Sequence, residues 1–310
     1  MKFVKISFLP MIIYCSTLAQ NTSLDTLSLS TNYLDEVVIT DSRFILKRSK
    51  SGKTVLKINY EEIQQFSDLG LGVLLSTHLG IDVIGKNIHS GQNQTLSIRG
   101  GRNRQVLIII DGIRVSDPSR IDNDFDINLL NLEMIESIEI VKGATSALYG
   151  SSAATGVVNI ITKKTKESIN LTLKRTWGSE QVVNQTLDKI NAGNQLVDLR
   201  GKLFKSGIGI NLTYAERYSN GLSAVMGDEI DHFEKVNFNV GLNGKIGTQF
   251  NWQFNWNKDD ITSDYDNSFP LEDADFEFST KLNRYSLNTQ YKYTNGSLNL
   301  NAGLQKNKRE

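Results

Sequence analysis

Residues 135–164 read IESIEIVKGATSALYGSSAATGVVNIITKK. Ile138 and Ile140 alternate with Glu139 and Val141, the period of a strand, and Gly143 and Gly150 supply turn positions where a Cβ would be penalised. Val157, Val158, Ile160 and Ile161 then form a second strand that is apolar on both faces. Such a strand must be covered on both sides, which suits a small domain enclosed by something larger.

This strand, glycine-rich reversal and strand resemble the end of the plug domain of TonB-dependent outer-membrane receptors. Lys142, Ala144 and Thr155 stand where the family pattern has arginine, proline and glycine. Upstream, Leu96-Ser97-Ile98-Arg99-Gly100-Gly101 and the run VLIIIDG from Val106 to Gly112 match the family's "IRG" and "VLIDG" landmarks in the expected order. His78-Leu79-Gly80-Ile81 occupies the place of the family's Leu-Pro-Gly-Val, so the missing proline leaves that turn's geometry open. Between these landmarks Val55, Leu56 and Ile58 predict a strand, and Asn59 with Glu61 and Glu62 a helix start. Ser67 and Asp68 precede Leu71, Val73, Leu74 and Leu75 at helical spacing, and Ile81, Val83 and Ile84 resume a strand. The expected unit is a mixed α/β plug domain over residues 45–164.

Beyond Lys164 the apolar period becomes two and stays there: Ile169, Leu171, Leu173; Val197, Leu199; Ile208 to Tyr214; Val236 to Leu242; Phe250 to Trp256; Tyr285 to Tyr293; Leu298 to Leu304. The intervening residues are mostly Asn, Gln, Ser, Thr and Gly, the pattern of an antiparallel transmembrane β-barrel with an apolar outer face and a polar lumen. Short turns are predicted at Lys205-Ser206-Gly207, Gly244 to Gln249 and Thr294 to Ser297, and extracellular loops around 218–233 and 258–280. Trp177, Tyr214 and Trp256 then fall near outer strand ends, Tyr291 and Tyr293 near inner ones, as aromatic girdles do. A soluble sandwich would also alternate, yet has no reason to alternate short and long connections. Residues 165–310 thus supply about seven strands. Barrels of this family have twenty-two, and an open sheet in lipid leaves unpaired amides, so the sequence is expected to be truncated.

At the other end Lys2 and Lys5 precede an apolar run from Phe8 to Leu18, and Thr17-Leu18-Ala19 suits signal cleavage, giving a signal peptide over residues 1–19. A lipoprotein signal at Cys15 is the alternative, with Tyr14 bulky where a small residue is wanted. Residues 20–44 form a polar lead. Within it, residues 34–40 include Asp35, Glu36, Val37, Val38, Ile39 and Thr40 and resemble the TonB box, which implies strand addition to TonB of the inner-membrane energising complex. An ordinary edge strand is the other reading of that segment. The 34 basic and 34 acidic residues cancel, which argues against nucleic acid as a partner. No apolar run after the signal approaches the ~20 residues of a spanning helix, so contact with outer-membrane lipid must be through strands.

The three histidines, His78, His89 and His232, have no metal or nucleophile spacing, and Gly70-Leu71-Gly72 lacks the third glycine of a dinucleotide loop. No catalytic constellation is visible; the chain reads as a transporter, not an enzyme. The resemblance implies that Arg99 joins a plug-to-barrel latch; a surface arginine is the plainer reading. Loops 85–94 and 114–120 carry Asn87, His89, Gln92, Asn93, Arg114, Ser116 and Asp117, polar groups able to orient a small-molecule nutrient. Two acidic runs, Asp228 to Asp231 and Asp259, Asp260, Asp264, Asp266 with Glu272, Asp273 and Asp275, fit either calcium or solvated loop charge. No cofactor is required, calcium being the candidate ion. The implied function is energised uptake across the outer membrane of a Gram-negative bacterium. Cobalamin is the favoured substrate, with siderophore-iron or haem as the alternative; a secreted adhesion protein is the rival class.

Overall fold

The computed structural model describes residues 37–38, 46–47, 52–86, 91, 93–165, 168–179, 190–203, 207–220, 231–268 and 271–310. The segment expected to be a signal peptide and most of the expected lead lie outside these residues. From the lead, β1 (Val37–Val38) pairs antiparallel with β2 (Leu46–Lys47).

A five-stranded sheet forms the centre of the first domain. Its strands are β3 (Thr54–Ile58), β6 (Val106–Ile110), β7 (Ile113–Val115), β8 (Ile135–Lys142) and β9 (Gly156–Thr162), in the order β3-β8-β9-β6-β7. β9 lies centrally, antiparallel to β8 and parallel to β6. Val157 and Val158 are fully buried, as a strand apolar on both faces requires. One face packs on the helices α1 (Tyr60–Gln65) and α2 (Leu71–Ser76) and on the hairpin β4 (Ile81–Ile84) with β5 (Thr95–Ile98). The reversal covers the other face. Gly143 (φ 127°) and Gly150 (φ 87°) bracket the short helix α3 (Ser146–Tyr149), and Tyr149 with Ala153 closes over Leu107, Ile109 and Val157. Glu139, on the polar phase of the β8 alternation, is buried as well.

The β6–β7 hairpin turns through Asp111 (φ 50°) and Gly112 (φ 81°), two left-handed residues in succession, the Asp-Gly turn whose twist matches its strands. Asp111 also fastens the turn to the end of β9. Its Oδ1 accepts from the Thr162 amide at 2.9 Å and its Oδ2 from the Thr162 hydroxyl at 2.6 Å. Enclosure of the carboxyl raises its pKa, with the Thr162 bonds opposing that shift.

Seven consecutive antiparallel strands follow: β10 (Asn170–Gly178), β11 (Ala192–Leu203), β12 (Ile208–Asn220), β13 (His232–Ile246), β14 (Phe250–Ser268), β15 (Leu271–Tyr293) and β16 (Gly296–Arg309). Short turns join them at one end, the Gly247 turn (φ 61°) and the Thr294-Asn295 turn among them. The expected loop over 258–280 is corrected: β14 and β15 stay paired out to Ser268 and Leu271, with one irregularity between Tyr265 and Asn267. Polar residues on both faces of that stretch read as a loop because the alternation is lost, although its inward side chains Asp259, Ile261 and Ser263 are buried. Of the 218–233 loop, residues 218–220 and 232–233 belong to strands, and 221–230 lie outside the described residues.

On the outer face of the sheet Phe250, Trp252, Phe254 and Trp256 give way to Lys258 and Asp260, so Trp256 marks a border although it sits well inside β14. Trp256 lies edge-on to Phe238 at 5.5 Å and stacks with Tyr285 at 6.4 Å between centroids. That is the aromatic belt expected where hydrocarbon ends.

Candidate functional site

The inward-facing rows of the seven-stranded sheet meet the first domain through a polar interface. Toward the short-turn end, Asn211 donates to Asn239 (3.1 Å) and Asn239 to Asn257 (2.7 Å), a carboxamide ladder across β12, β13 and β14. Beside it, Asp198 accepts from Arg200 (2.9 Å) and Thr213 (2.7 Å). A cavity of about 760 Å³ opens there, lined by Lys163, Lys164, Asn243, Asn251, Gln253 and Asn299 among others. Here, among the described residues, Asn288 donates to the Asp111 carbonyl across the domains at 3.1 Å, and within the second domain the Thr165 hydroxyl donates to the Ile210 carbonyl at 3.3 Å.

At the opposite end the grip is tighter. Residues 127–129 form a single 3-10 turn capped by Asp126, whose Oδ1 accepts from the amides of Asn128 and Gln94, both at 2.9 Å. Burial raises the Asp126 pKa against those two bonds. The carbonyls leaving this turn are taken by the barrel. Lys235 Nζ donates to Asn128 O and to Leu130 O (2.8 Å), and Asn237 Nδ2 to Leu129 O (2.8 Å). Asn237 also donates to Asp259 at 2.7 Å, and Arg284 pairs with the same carboxylate at 2.9 Å. Phe233, Ile261 and Leu282, apolar residues in otherwise polar inward rows, join the core of the first domain at this level. On the flank Lys174 of β10 reaches Asp68 (2.9 Å), Glu133 (3.6 Å) and Ser67 Oγ (2.7 Å). Ser67 and Asp68 therefore hold the barrel rather than cap α2, whose N-cap is Gly70 (φ 93°).

The residues singled out for substrate binding separate into three groups. Asn93, Ser116 and Asp117 face β16: Arg309 donates to Asn93 Oδ1 (2.9 Å), Gln305 to Ser116 O, and Asn307 to Asp117 Oδ1 (2.9 Å). Asp117 is buried and also accepts from the Ser119 hydroxyl at 2.6 Å. Arg114 is exposed and donates to Ser152 Oγ at 2.8 Å. Asn87, His89 and Gln92 lie outside the described residues.

Arg99 is exposed and left-handed (φ 52°), its amide bonded to Gly80 O at 2.9 Å. Among the described residues no carboxylate lies within ion-pair distance of it. It sits near Lys142, whose pKa is lowered by burial and then by the Arg99 charge. Of the residues assigned to TonB contact, Val37 and Val38 form β1, while Asp35, Glu36, Ile39 and Thr40 lie outside the described residues.

The four aspartates assigned to calcium are not brought together. Asp259 faces inward onto Asn237 and Arg284, and Asp260 faces outward beside Lys258 at 2.9 Å. Asp264 accepts from the His232 amide and Asp266 from the Ala274 amide. Among the described residues no group of three or more His, Cys, Asp or Glu side chains could hold a metal ion. The residues that fasten the domains, Lys235, Asn237, Asp259 and Arg284, were not foreseen as a set. Their one sequence signal is the appearance of Phe233, Ile261 and Leu282 in the polar phase of β13, β14 and β15.

Comparison with known proteins agrees with this architecture. Residues 47–157 match the family model described as TonB-dependent Receptor Plug Domain. Vitamin B12 transporter BtuB of Vibrio cholerae serotype O1 is 36% identical over 145 residues, which are 47% of this chain and 23% of the relative. Among solved structures, the siderophore receptor PirA from Acinetobacter baumannii superposes with a TM-score of 0.63 at 20% identity, covering 82% of this chain and 40% of PirA. The ferric yersiniabactin uptake receptor FyuA from Yersinia pestis gives 0.65 at 15% identity, covering 84% and 42%. At such identities the structures speak for the fold alone. The match to the curated relative spans about a quarter of its length.

Proposed function

We propose that this chain, which carries the plug domain and leading barrel strands of a TonB-dependent receptor, belongs to a transporter that takes up cobalamin across the outer membrane with energy delivered by TonB. The observation that carries the uptake reading is the polar interface. A plug held to its wall by side chains donating to its carbonyls can be displaced as a unit, because water replaces those bonds as they break. The cobalamin preference is supported by the 36% identity to a vitamin B12 transporter over 145 residues. Receptors of this family with this barrel fold are outer-membrane proteins, which supports the same location here.

Coupling would run through residues 34–40, where a two-residue antiparallel bridge ties Val37 and Val38 to Leu46 and Lys47. So small a pairing can be exchanged for a strand of the energising partner. Val38→Pro in the complete gene removes an amide donor and blocks regular pairing. Cobalamin binding to cells should persist while energised uptake stops; uptake at the normal rate in this variant would reject the assignment. Growth on cobalamin as sole source, compared with growth on chelated iron, separates the favoured substrate from the siderophore alternative.

A further inference from the structure

The cavity of about 760 Å³ at the short-turn end has walls dominated by one chemistry. Nine of its lining residues are asparagine or glutamine, spread over β12 to β16, and among the described residues no carboxylate lines it. Its size falls within the roughly 300–1,000 Å³ of ligand pockets. A primary carboxamide both donates and accepts, so a wall built of them is matched by a neutral ligand that carries the same group. Two of the nine are left open. Asn255 is 6% exposed and its Nδ2 has no partner, and the buried Oδ1 of Asn288 has none either. Asn288 spends its own Nδ2 on the Asp111 carbonyl of the plug. In the β14–β15 register Asn255 lies opposite Ser286 and Gln253 opposite Asn288, which makes Asn255 and Asn288 diagonal neighbours on the inward face. One open donor and one open acceptor on adjacent strands are the complement of a single ligand carboxamide, whose oxygen accepts from Asn255 and whose nitrogen donates to Asn288.

We propose that this cavity is a second, inner binding site for a carboxamide-bearing substrate, separate from any site at the outer end. The inference deepens the cobalamin reading above and rests on it. Cobalamin carries several primary carboxamides around its corrin ring and one phosphodiester, and Lys164 and Lys245 stand exposed on the same wall to meet that negative charge. Water satisfies Asn255 and Asn288 singly; a carboxamide satisfies both at once, at the spacing the two strands fix. The neutral amide wall also holds such a ligand weakly enough to release it, since each neutral hydrogen bond contributes only about 1 kcal/mol against water, about fivefold in affinity.

The complete receptor in detergent, where both ends are open to solution, is titrated with radiolabelled cobalamin by equilibrium dialysis. Two classes of site are expected in wild type. Asn255→Leu should weaken the second class about fivefold, the loss of one hydrogen bond, and leave the first class unchanged. A single class in wild type, or a second class that Asn255→Leu does not weaken, overturns the inner site while the substrate reading stands. Absence of the first class as well overturns the substrate reading itself, and this inference with it. If Asn255→Leu fails to fold, Asn299→Cys in the otherwise unaltered receptor decides, because Asn299 is exposed on the cavity wall. Labelling of that thiol by a water-soluble maleimide should slow at the cobalamin concentrations that fill the second class. Unslowed labelling, or slowing already complete when the first class is filled, counts against the inner site.

Discussion

Lys235→Met tests whether the outer end of the plug is tethered by one barrel side chain. The substitution keeps an apolar stem of similar length but removes the ammonium that serves Asn128 O and Leu130 O. Two buried carbonyls are orphaned, at about 1–3 kcal/mol each. Part of that is offset, because the wild type bears the desolvation of an ammonium, several kcal/mol per buried ion before its partners are counted. A net loss of about 2 kcal/mol follows, equivalent to roughly a 30-fold shift in the local opening equilibrium. The amides to watch are Leu129 and Leu130, which donate to Asp126 O and Ile127 O within the 3-10 turn. Hydrogen exchange on the complete receptor in detergent should show these two amides exchanging roughly 30-fold faster. Amides at the centre of β9 should be unaffected, since their bonds lie within the plug's own sheet. Unchanged protection at Leu129 and Leu130, in a variant that retains its fold, would mean that the carbonyls are satisfied by water and that Lys235 is no tether.

Asp111→Ala removes both bonds to Thr162 and places a β-carbon residue without a compensating side-chain bond at φ 50°, so a loss of about 2–4 kcal/mol in plug stability is expected by denaturant unfolding. The same carboxyl gives a pH signature: its folded pKa lies above the ordinary carboxylate value, so between the two the native state binds more protons and stability falls as pH rises through that window. Asp111→Asn should abolish this component; an identical pH slope in wild type and Asp111→Asn would refute it. For the aspartates of β14, Asp259 is already engaged by Asn237 and Arg284, so substrate affinity should be equal in calcium, in magnesium and in chelator at matched ionic strength. A calcium-specific gain would restore the metal reading and direct the search for further ligands to residues 221–230.

The plug was legible because its signals are local and redundant. Two glycines at turn positions and a strand apolar on both faces each constrain the backbone independently, and Gly143, Gly150 and β9 occur where those constraints put them. The barrel was legible as far as its lipid-facing phase extends. Above Trp256 the outer face becomes charged, the alternation disappears, and the β14–β15 hairpin reads as a loop. The interface was the least legible part. Asn93 and Asp117 look like apical ligand groups because a polar loop side chain carries no mark of whether it meets solvent or a wall. Their partners, Arg309 and Asn307, stand 216 and 190 residues away in the sequence. Lys235 is hidden for a similar reason: a lysine in the polar phase of a barrel strand is unremarkable until the carbonyls it meets are known.

The interface is graded along the barrel axis, and the gradient bears on how a plug of this kind yields to a pull. At the short-turn end, among the described residues, a 3.1 Å bond from Asn288 to the Asp111 carbonyl joins the domains beside a cavity of about 760 Å³ with polar walls. Asn255 and Asn288, both of which line that cavity, each have a buried polar atom with no protein partner, so water entering there gains bonds rather than disrupting any. At the other end water gains less. Phe233, Ile261 and Leu282 are almost completely buried against the plug core, and Asp259 is closed between Asn237 and Arg284. Wetting that region exposes apolar surface at about 25 cal/mol per Å² and separates charged groups from their partners. The plug's own sheet offers no comparable weak seam, since β9 is bonded on both edges and covered on both faces. Loosening that starts at the short-turn end, where β10 leaves the plug, therefore meets the least resistance, and the Lys235 region is where it would be arrested.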